Sequence, residues 1–205
     1  MQFFDLKTRL KNFIIFSIRD IEKIDPSFHK QRLSEWQEKG YIIKIRRGFY
    51  IFSDLQINEQ VMFLIANTIY QPSYISLEMA FSWYNLIPEG VYTITSVTSR
   101  KTNSFEMNMG NFIYKHIKSE LMFGYELQEY NNHYYLMAEI EKAVLDYLYF
   151  NSHINDEEDF KGLRFNIFEF KAKVDIEKLR KYLGVYNNKA LSARVNKFIT
   201  YIEHA

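Results

Sequence analysis

Small polar side chains and cations are concentrated between residues 27 and 47, where their types suit contacts with a polyanion. The polar residues fall on one side of a predicted helix, and three cations follow near a predicted turn. Lys and Arg bind phosphates, whereas Ser and Gln side chains can reach base edges in the major groove. The residues predicted to bind double-stranded DNA are Ser27, Lys30, Gln31, Ser34, Lys44, Arg46 and Arg47.

An acidic pair with a nearby lysine supports a second hypothesis, a metal-dependent nuclease with a DNA-targeting domain. Asp159 precedes the triplet Glu169-Phe170-Lys171 by ten residues. Metal-dependent nucleases place two carboxylates and an ammonium around a divalent ion in this way. An E-x-K triplet also arises easily by chance in a chain with 25% charged residues, and no strand is predicted to hold Asp159. The nuclease is therefore the alternative hypothesis.

Several classes of site are excluded by what the sequence lacks. With no cysteine, the chain cannot form disulfides, thiolate metal sites or a thiol nucleophile. The five histidines show no i,i+3 or i,i+4 pairing, so we expect no metal site. The glycine-rich phosphate-binding motifs and the G-x-S-x-G motif are absent too. We therefore expect no catalytic residue, no cofactor and no enzyme activity.

Charge and hydropathy indicate where the protein acts. Residues 1–53 carry 11 Lys/Arg against 6 Asp/Glu, whereas residues 54–205 carry 15 against 19, so the first part is the one that suits a polyanion. The longest uninterrupted apolar run, Val61 to Ala66, is six residues, far short of a membrane span. Charged residues from Asp5 to Lys11 interrupt any apolar signal sequence. We expect a cytoplasmic protein that does not enter the membrane.

The elements expected to position the predicted DNA-binding residues are three helices and a hairpin. Ser17 is a good N-cap with Asp20 as its partner, and the third helix should end at Gly40. Arg47-Gly48 separates two β-rich stretches, which predicts a hairpin. This order is typical of a winged helix-turn-helix domain, here residues 1–54. The predicted helices are 5–12, one beginning after Ser17, and about 27–39, with strands at 41–46 and 49–52.

Residues 55–205 are predicted to form a mixed α+β domain, so the whole chain is of the α+β class. Glu139, Glu141 and Asp146 are interpreted as the solvent-exposed face of one of its helices, with Glu141 or Lys142 supporting the hairpins. The predicted helices are 58–70, 77–84 capped by Ser76, 138–150, 176–183 and 189–202, with 156–161 as a loop or a short helical turn. The predicted strands are 91–98, 104–109, 111–117, 122–127 and 133–136.

Three stretches of the sequence resemble one known family. Residues 28–42 (FHKQRLSEWQEKGYI) are followed by Arg46-Arg47-Gly48-Phe49-Tyr50. The more specific stretch is 74–101, YISLEMAFSWYNLIPEG continued by VYTITSVTSRK, and residues 138–149 read AEIEKAVLDYLY. Over about residues 10–166, the chain resembles the AbiEi-type antitoxins of bacterial type IV toxin–antitoxin systems, which act in abortive infection and phage defence.

The resemblance implies a function for each half of the chain. It implies an N-terminal domain that binds the protein's own promoter as a transcriptional repressor, and a C-terminal domain that confers antitoxin function. It also implies a cognate nucleotidyltransferase-like toxin, contacted directly or counteracted indirectly. A protein-interaction module whose basic hairpin never meets DNA stays open beside this interpretation.

The segment from Thr93 to Lys101 allows two interpretations. Hydroxyl and β-branched residues alternate there, which favours a half-exposed strand with a solvated end. The second interpretation is a polar face that contacts a nucleotide, RNA or the toxin. Its residues would be Thr95, Ser96, Thr98, Arg100 and Lys101.

Overall fold

The computed structural model describes residues 1–205, and the chain divides into two compact units, Met1–Tyr70 (unit 1) and Gln71–Ala205 (unit 2). Helices and strands are mixed in both units, which confirms the predicted α+β class. The division falls later than the expected 54/55 boundary, because the helix that follows the hairpin groups with unit 1.

Unit 1 combines four helices with a small antiparallel sheet. The sheet has the order β1-β3-β2, so the first short strand closes against the hairpin formed by the other two. Its core includes Leu6, Phe16, Ile21, Trp36 and Phe52. The elements are α1 (Phe3–Arg9), β1 (Phe16–Ser17), α2 (Ile18–Ile24), α3 (Gln31–Glu38), β2 (Ile42–Arg46), β3 (Phe49–Phe52) and α4 (Glu59–Ile69).

Local chemistry decides where the helices of unit 1 begin. The capping box predicted for α2 is confirmed, since the carboxylate of Asp20 accepts the backbone N–H of Ser17 at 2.8 Å. The predicted start of α3 near Ser27 is wrong. Asp25 accepts both the backbone N–H and the hydroxyl of Ser27, at 3.1 and 2.7 Å, and holds this stretch in a turn. The helix therefore begins only at Gln31.

The hairpin of β2 and β3 forms as predicted around Arg47-Gly48. Gly48 has a φ of +87°, a left-handed conformation that favours glycine. The pairing register shifts between Lys44 and Arg46, and this irregularity leaves Lys44 exposed while Ile45 is buried. Arg46, the next residue, is half-buried, whereas Arg47 in the turn is exposed, so the three cations of the hairpin differ in exposure.

Unit 2 is built on a six-stranded sheet with the order β6-β7-β5-β4-β9-β8. The central strand β5 runs parallel to β7 and antiparallel to β4, and antiparallel hairpins form both edges. The strands are β4 (Ser73–Ile75), β5 (Thr93–Thr98), β6 (Asn103–Met107), β7 (Gly110–His116), β8 (Tyr125–Tyr130) and β9 (His133–Ala138).

The helices of unit 2 pack around one central helix. The helix α6 packs against α5, α9 and α10, and it is buried over most of its length. A single 3₁₀ turn, Ser119–Leu121, precedes β8. The helices are α5 (Leu77–Trp83), α6 (Ile140–Phe150), α7 (Glu157–Gly162), α8 (Ile167–Lys173), α9 (Ile176–Tyr186) and α10 (Lys189–His204).

No helix in the protein combines the length and the apolar character needed to cross a lipid bilayer.

Candidate functional site

The polar residues predicted to meet DNA lie at the beginning of α3, on its exposed side. Gln31 and Ser34 are exposed, whereas Leu33 and Trp36 on the opposite side are buried in the core of unit 1. Lys30 occupies the N-cap position, and its ammonium lies 3.0 Å from the carboxylate of Glu22 on α2. These side chains are therefore accessible to a large ligand.

Two acidic residues limit how much of α3 suits a polyanion. Glu35 and Glu38 are also exposed, and both lie in the later part of the helix. Carboxylates repel phosphate, so the first turn is the part of α3 whose chemistry fits a duplex.

The three cations of the hairpin differ in their surroundings. Lys44 and Arg47 are exposed, and Arg47 stands in the turn itself. Arg46 is half-buried: its guanidinium donates to the carbonyl of Ile69 and lies 5.4 Å from the ring centroid of Tyr70. Arg46 is thus used inside unit 1, and Lys44 and Arg47 are the exposed cations of the hairpin.

Ser27, the remaining residue of this prediction, is exposed in the turn before α3. Its hydroxyl donates to Asp25 at 2.7 Å, and this hydrogen bond lowers the pKa of the Asp25 carboxyl. Ser27 can still accept a hydrogen bond from solvent or a ligand.

The polar face predicted on residues 95–101 does not form, because three of its hydroxyls are in the interior. Thr95, Ser96 and Thr98 are buried on the central strand β5. The hydroxyl of Thr95 donates to the carbonyl of Ser76 at 2.7 Å, and that of Thr98 donates to the carbonyl of Pro72 at 2.6 Å. Two of these hydroxyls are bonded to backbone carbonyls and the helix α5 packs against β5, which is the reason for this correction.

Arg100 and Lys101 are the exposed remainder of that predicted face. The guanidinium of Arg100 donates to the carbonyl of Gln71 at 3.3 Å, and its own carbonyl is bonded to a ring nitrogen of His116 at 2.9 Å. Arg100 therefore links the residue that precedes β4 by two positions, Gln71, to the last residue of β7, His116.

The two carboxylates of the nuclease hypothesis lie on different helices, and each has other partners. Asp159 lies on α7 and accepts the backbone N–H groups of Asn155 and Asp156, at 2.8 and 3.2 Å. Glu169 lies on α8, where it forms an ion pair with Lys173. No group of three or more His, Asp or Glu side chains is arranged to hold a metal ion.

Sequence reasoning missed a cluster of buried polar side chains in unit 2. At its centre, the ammonium of Lys142 donates to Asp146, to the hydroxyl of Tyr74 at 2.9 Å and to that of Tyr186 at 2.8 Å. The carboxylate of Asp146 also accepts the hydroxyls of Tyr74 and Ser76, both at 2.9 Å, and that of Tyr186 at 2.6 Å. We call these five residues the Lys142 cluster.

The electrostatics of the Lys142 cluster are those of a charge pair removed from water. Lys142 and Asp146 are both 0% exposed, and burial lowers the pKa of Lys142. The ammonium also lies 5.1 to 5.3 Å from the ring centroids of Tyr74, Phe123 and Tyr186, within cation–π range. Burial raises the pKa of Tyr74 and Tyr186 well above the usual tyrosine value.

The Lys142 cluster joins three elements, and all the hydrogen-bond donors of its ammonium have partners. An ammonium has three donors, and Tyr74, Asp146 and Tyr186 accept one each. The partners come from β4, α6 and α9. The arrangement fixes the packing of these elements and offers no open position to a substrate.

The prediction that Glu139, Glu141 and Asp146 form a solvated face is wrong, since Glu141 and Asp146 are buried and Glu139 is half-buried. This side of α6 packs against α9, where the ammonium of Lys178 lies 3.0 Å from Glu139 and 3.1 Å from Glu141. The i,i+4 spacing of Lys142 and Asp146 was the one signal in the sequence for their pairing.

No known family model matches the chain, and no curated protein matches it. The function therefore has to be argued from the residues themselves.

Proposed function

We propose that unit 1 binds duplex DNA with sequence preference, and that the protein is an antitoxin that represses its own toxin–antitoxin operon. The observation that carries DNA binding is the exposure of Lys30, Gln31 and Ser34 at the start of α3 together with Lys44 and Arg47 on the hairpin. Three helices, a short first strand and a two-stranded hairpin follow the order of a winged helix-turn-helix. The proposal requires no catalytic residue, metal or cofactor.

The proposed interface divides its work between two kinds of side chain. Lys44 and Arg47 contact phosphates, which supplies affinity without sequence preference. Gln31 and Ser34 reach base edges from the first turn of α3, and an amide such as that of Gln31 pairs well with adenine. The major groove of B-DNA is about 12 Å wide and admits one α-helix. The later carboxylates Glu35 and Glu38 keep the rest of α3 away from the phosphates.

The antitoxin part of the proposal depends on the likeness of residues 74–101 and 138–149 to the AbiEi-type family. In that interpretation unit 2 counteracts a nucleotidyltransferase-like toxin, directly or through the repression of its gene. The neighbouring open reading frame tests this part, and we expect it to encode a nucleotidyltransferase-like protein. Co-expression of this chain should restore the growth of cells that express that neighbour. An unrelated neighbour would contradict it.

The DNA-binding part is tested by mobility shifts with the full-length protein on its own upstream region and on a scrambled duplex of equal length. We expect the native sequence to be bound more tightly. Gln31→Ala should lose the preference for one base pair, and its free energy of binding to the native site should be weaker by about 1–3 kcal/mol.

Gln37→Ala is the matched control for Gln31→Ala, because Gln37 lies on the same helix and its amide donates to the carbonyl of Leu33 at 2.8 Å. It should leave sequence preference unchanged. Equal binding to native and scrambled DNA would overturn the proposed preference. No binding to either duplex would instead favour a protein-interaction module.

A further inference from the structure

The sheet of unit 2 ends in a strand, β8, that is paired on one side only. Its pairing with β9 is regular from Tyr125 opposite Ala138 to Tyr130 opposite His133, with no register shift. The strand contains no proline. Edge strands present unpaired N–H and C=O groups that can pair with another chain, and proline and bulges are common ways to prevent this. The outer edge of β8 lacks both protections.

Apolar side chains are exposed beside this edge. Leu127 on β8 is 66% exposed, and Tyr134 on β9 is 57% exposed. Tyr134 lies directly opposite Glu129, and Leu127 and Glu129 share one face of the strand because side chains alternate along it. The two apolar residues are thus diagonal neighbours on the same face, with the Glu129 carboxylate beside them.

The charge of the edge has one sign. The strand β8 carries Glu126 and Glu129, both exposed, and neither Lys nor Arg. Since they are an odd number of residues apart, the two carboxylates lie on opposite faces of the sheet. A second copy of β8 paired here would bring four carboxylates together with no cation, whereas a basic segment would be attracted.

We propose that the outer edge of β8 binds an extended, basic segment of a partner protein by strand addition. The backbone of the segment would pair with residues 125–129. Its cations would pair with Glu126 on one face and with Glu129 on the other, and an apolar side chain would cover Leu127 and Tyr134. Backbone pairing provides affinity in such complexes, and the alternating side chains provide specificity. The surface belongs to unit 2 and does not depend on DNA binding by unit 1.

The proposal is tested by fluorescence anisotropy with the full-length protein and three labelled, end-blocked peptides of about eight residues, near the usual length of a strand. The first carries Lys at every third position with Val and Thr between, so that its cations fall on both faces of an extended strand. The second carries Glu in place of each Lys, and the third is the basic peptide with N-methylated backbone amides. We expect saturable binding of the basic peptide alone, with a Kd of about 1 mM or tighter. Binding should weaken as the salt concentration rises, and the changes in the protein's amide NMR shifts on adding the peptide should be confined to β8 and β9.

A charge reversal distinguishes strand addition from general attraction to an acidic protein. Glu126→Lys combined with Glu129→Lys should abolish binding of the basic peptide and create binding of the acidic one. Glu106→Lys is the matched control, because Glu106 is exposed on β6, the strand at the other edge of the sheet. It should leave the preference unchanged, and all variants should keep the wild-type unfolding midpoint.

Four results would each overturn the proposal. Two concern the peptides: the basic peptide does not bind at millimolar concentration, or the N-methylated peptide binds as tightly as the basic one. Two concern the protein: Glu106→Lys weakens peptide binding as much as the double variant does, or the wild-type chain self-associates through β8.

Discussion

Lys44 and Arg47 of unit 1 differ from Lys142 of unit 2 in their access to water, and that difference separates cations a ligand can reach from one that supports the fold. In unit 1, Lys44 and Arg47 are exposed on a hairpin, where water or a polyanion can reach them. In unit 2, Lys142 is 0% exposed, and its three donors are all used by neighbouring side chains. Exposed cations can exchange water for phosphate, whereas a buried one cannot. Residue type alone therefore does not indicate which lysine serves a ligand.

The comparison also predicts how each unit responds to the loss of a charge. An exposed pair such as Lys30 with Glu22 contributes about 0–1 kcal/mol, because water competes for both groups. Removing one partner of a buried pair leaves an uncompensated charge, and the cost is several times larger. Substitutions in the Lys142 cluster should thus change stability, and those of the exposed cations of unit 1 should change binding.

The largest expected effect is that of Asp146→Ala. It leaves the Lys142 ammonium buried without its carboxylate, and we expect a loss of about 3–5 kcal/mol in the free energy of unfolding. Urea unfolding of the full-length protein measures it. The double variant Lys142→Met with Asp146→Leu removes both charges and should lose much less. If the double variant lost as much as the single one, the loss would come from the buried hydroxyls left without the Asp146 carboxylate and not from an unpaired charge.

Gly124→Ala should have the next largest effect. Gly124 has a φ of +67°, and a Cβ there would lie 2.9 Å from the ring of Tyr182 and 3.1 Å from the Cβ of Lys142. We expect a loss of about 1–3 kcal/mol from this crowding together with the left-handed backbone, measured by urea unfolding. Gly184→Ala in α9 is the control, since nothing lies within 4 Å of its Cβ position. It should be neutral or slightly stabilising, and an equal loss at both positions would refute the crowding argument.

The buried tyrosines predict a loss of stability in alkali. Because burial raises the pKa of Tyr74 and Tyr186 above the ordinary value of 10.0, the folded protein holds these protons more tightly than the unfolded chain. Their contribution is complete below pH 10.0 and is lost as the pH rises further. Burial lowers the pKa of Lys142 below 10.5, which opposes this trend for one group only.

The measurement is the free energy of unfolding as a function of pH from neutral to alkaline values. We expect it to decline above pH 10.0, and Tyr186→Phe should make the decline shallower. Tyr92→Phe is the control for an exposed phenol, since Tyr92 is 90% exposed. A curve unchanged by Tyr186→Phe would contradict the prediction.

The smallest expected effect is that of Glu22→Gln. It removes the carboxylate that lies 3.0 Å from the ammonium of Lys30, and it leaves that cation available to phosphate. We expect a several-fold gain in DNA affinity at low salt and a change in stability below about 1 kcal/mol. Mobility shifts and urea unfolding measure the two quantities. Weaker DNA binding by this variant would mean that Lys30 needs its partner for positioning.

Local patterns in the sequence predict much of unit 1 and of the hairpins. The Ser17–Asp20 capping box and the Arg47-Gly48 turn depend on residues close in sequence, so they can be identified there. The start of α3 was misplaced because the side chain of Asp25 competes for Ser27. Short strands such as β1, with two residues, carry too little pattern to be found.

The buried sites could not be predicted because they depend on distant elements. Whether the polar side of α6 meets water is decided by α9, and Lys142 contacts Tyr186 from 44 residues away. The burial of Thr95 likewise depends on α5, which packs against β5 and whose Met79 donates its backbone N–H to the Thr95 hydroxyl. Only the assembled sheet and helices show which polar residues are inside.

The account is tested most directly by the salt dependence of DNA affinity, measured with the native upstream duplex for the wild-type protein and for Lys44→Ala combined with Arg47→Ala. Each lost phosphate contact should make the slope of log K against log salt less negative by about 0.9, so the double variant should change it by about two units. The unfolding midpoint should stay unchanged, because both side chains are exposed. An unchanged slope would mean that these cations do not contact DNA.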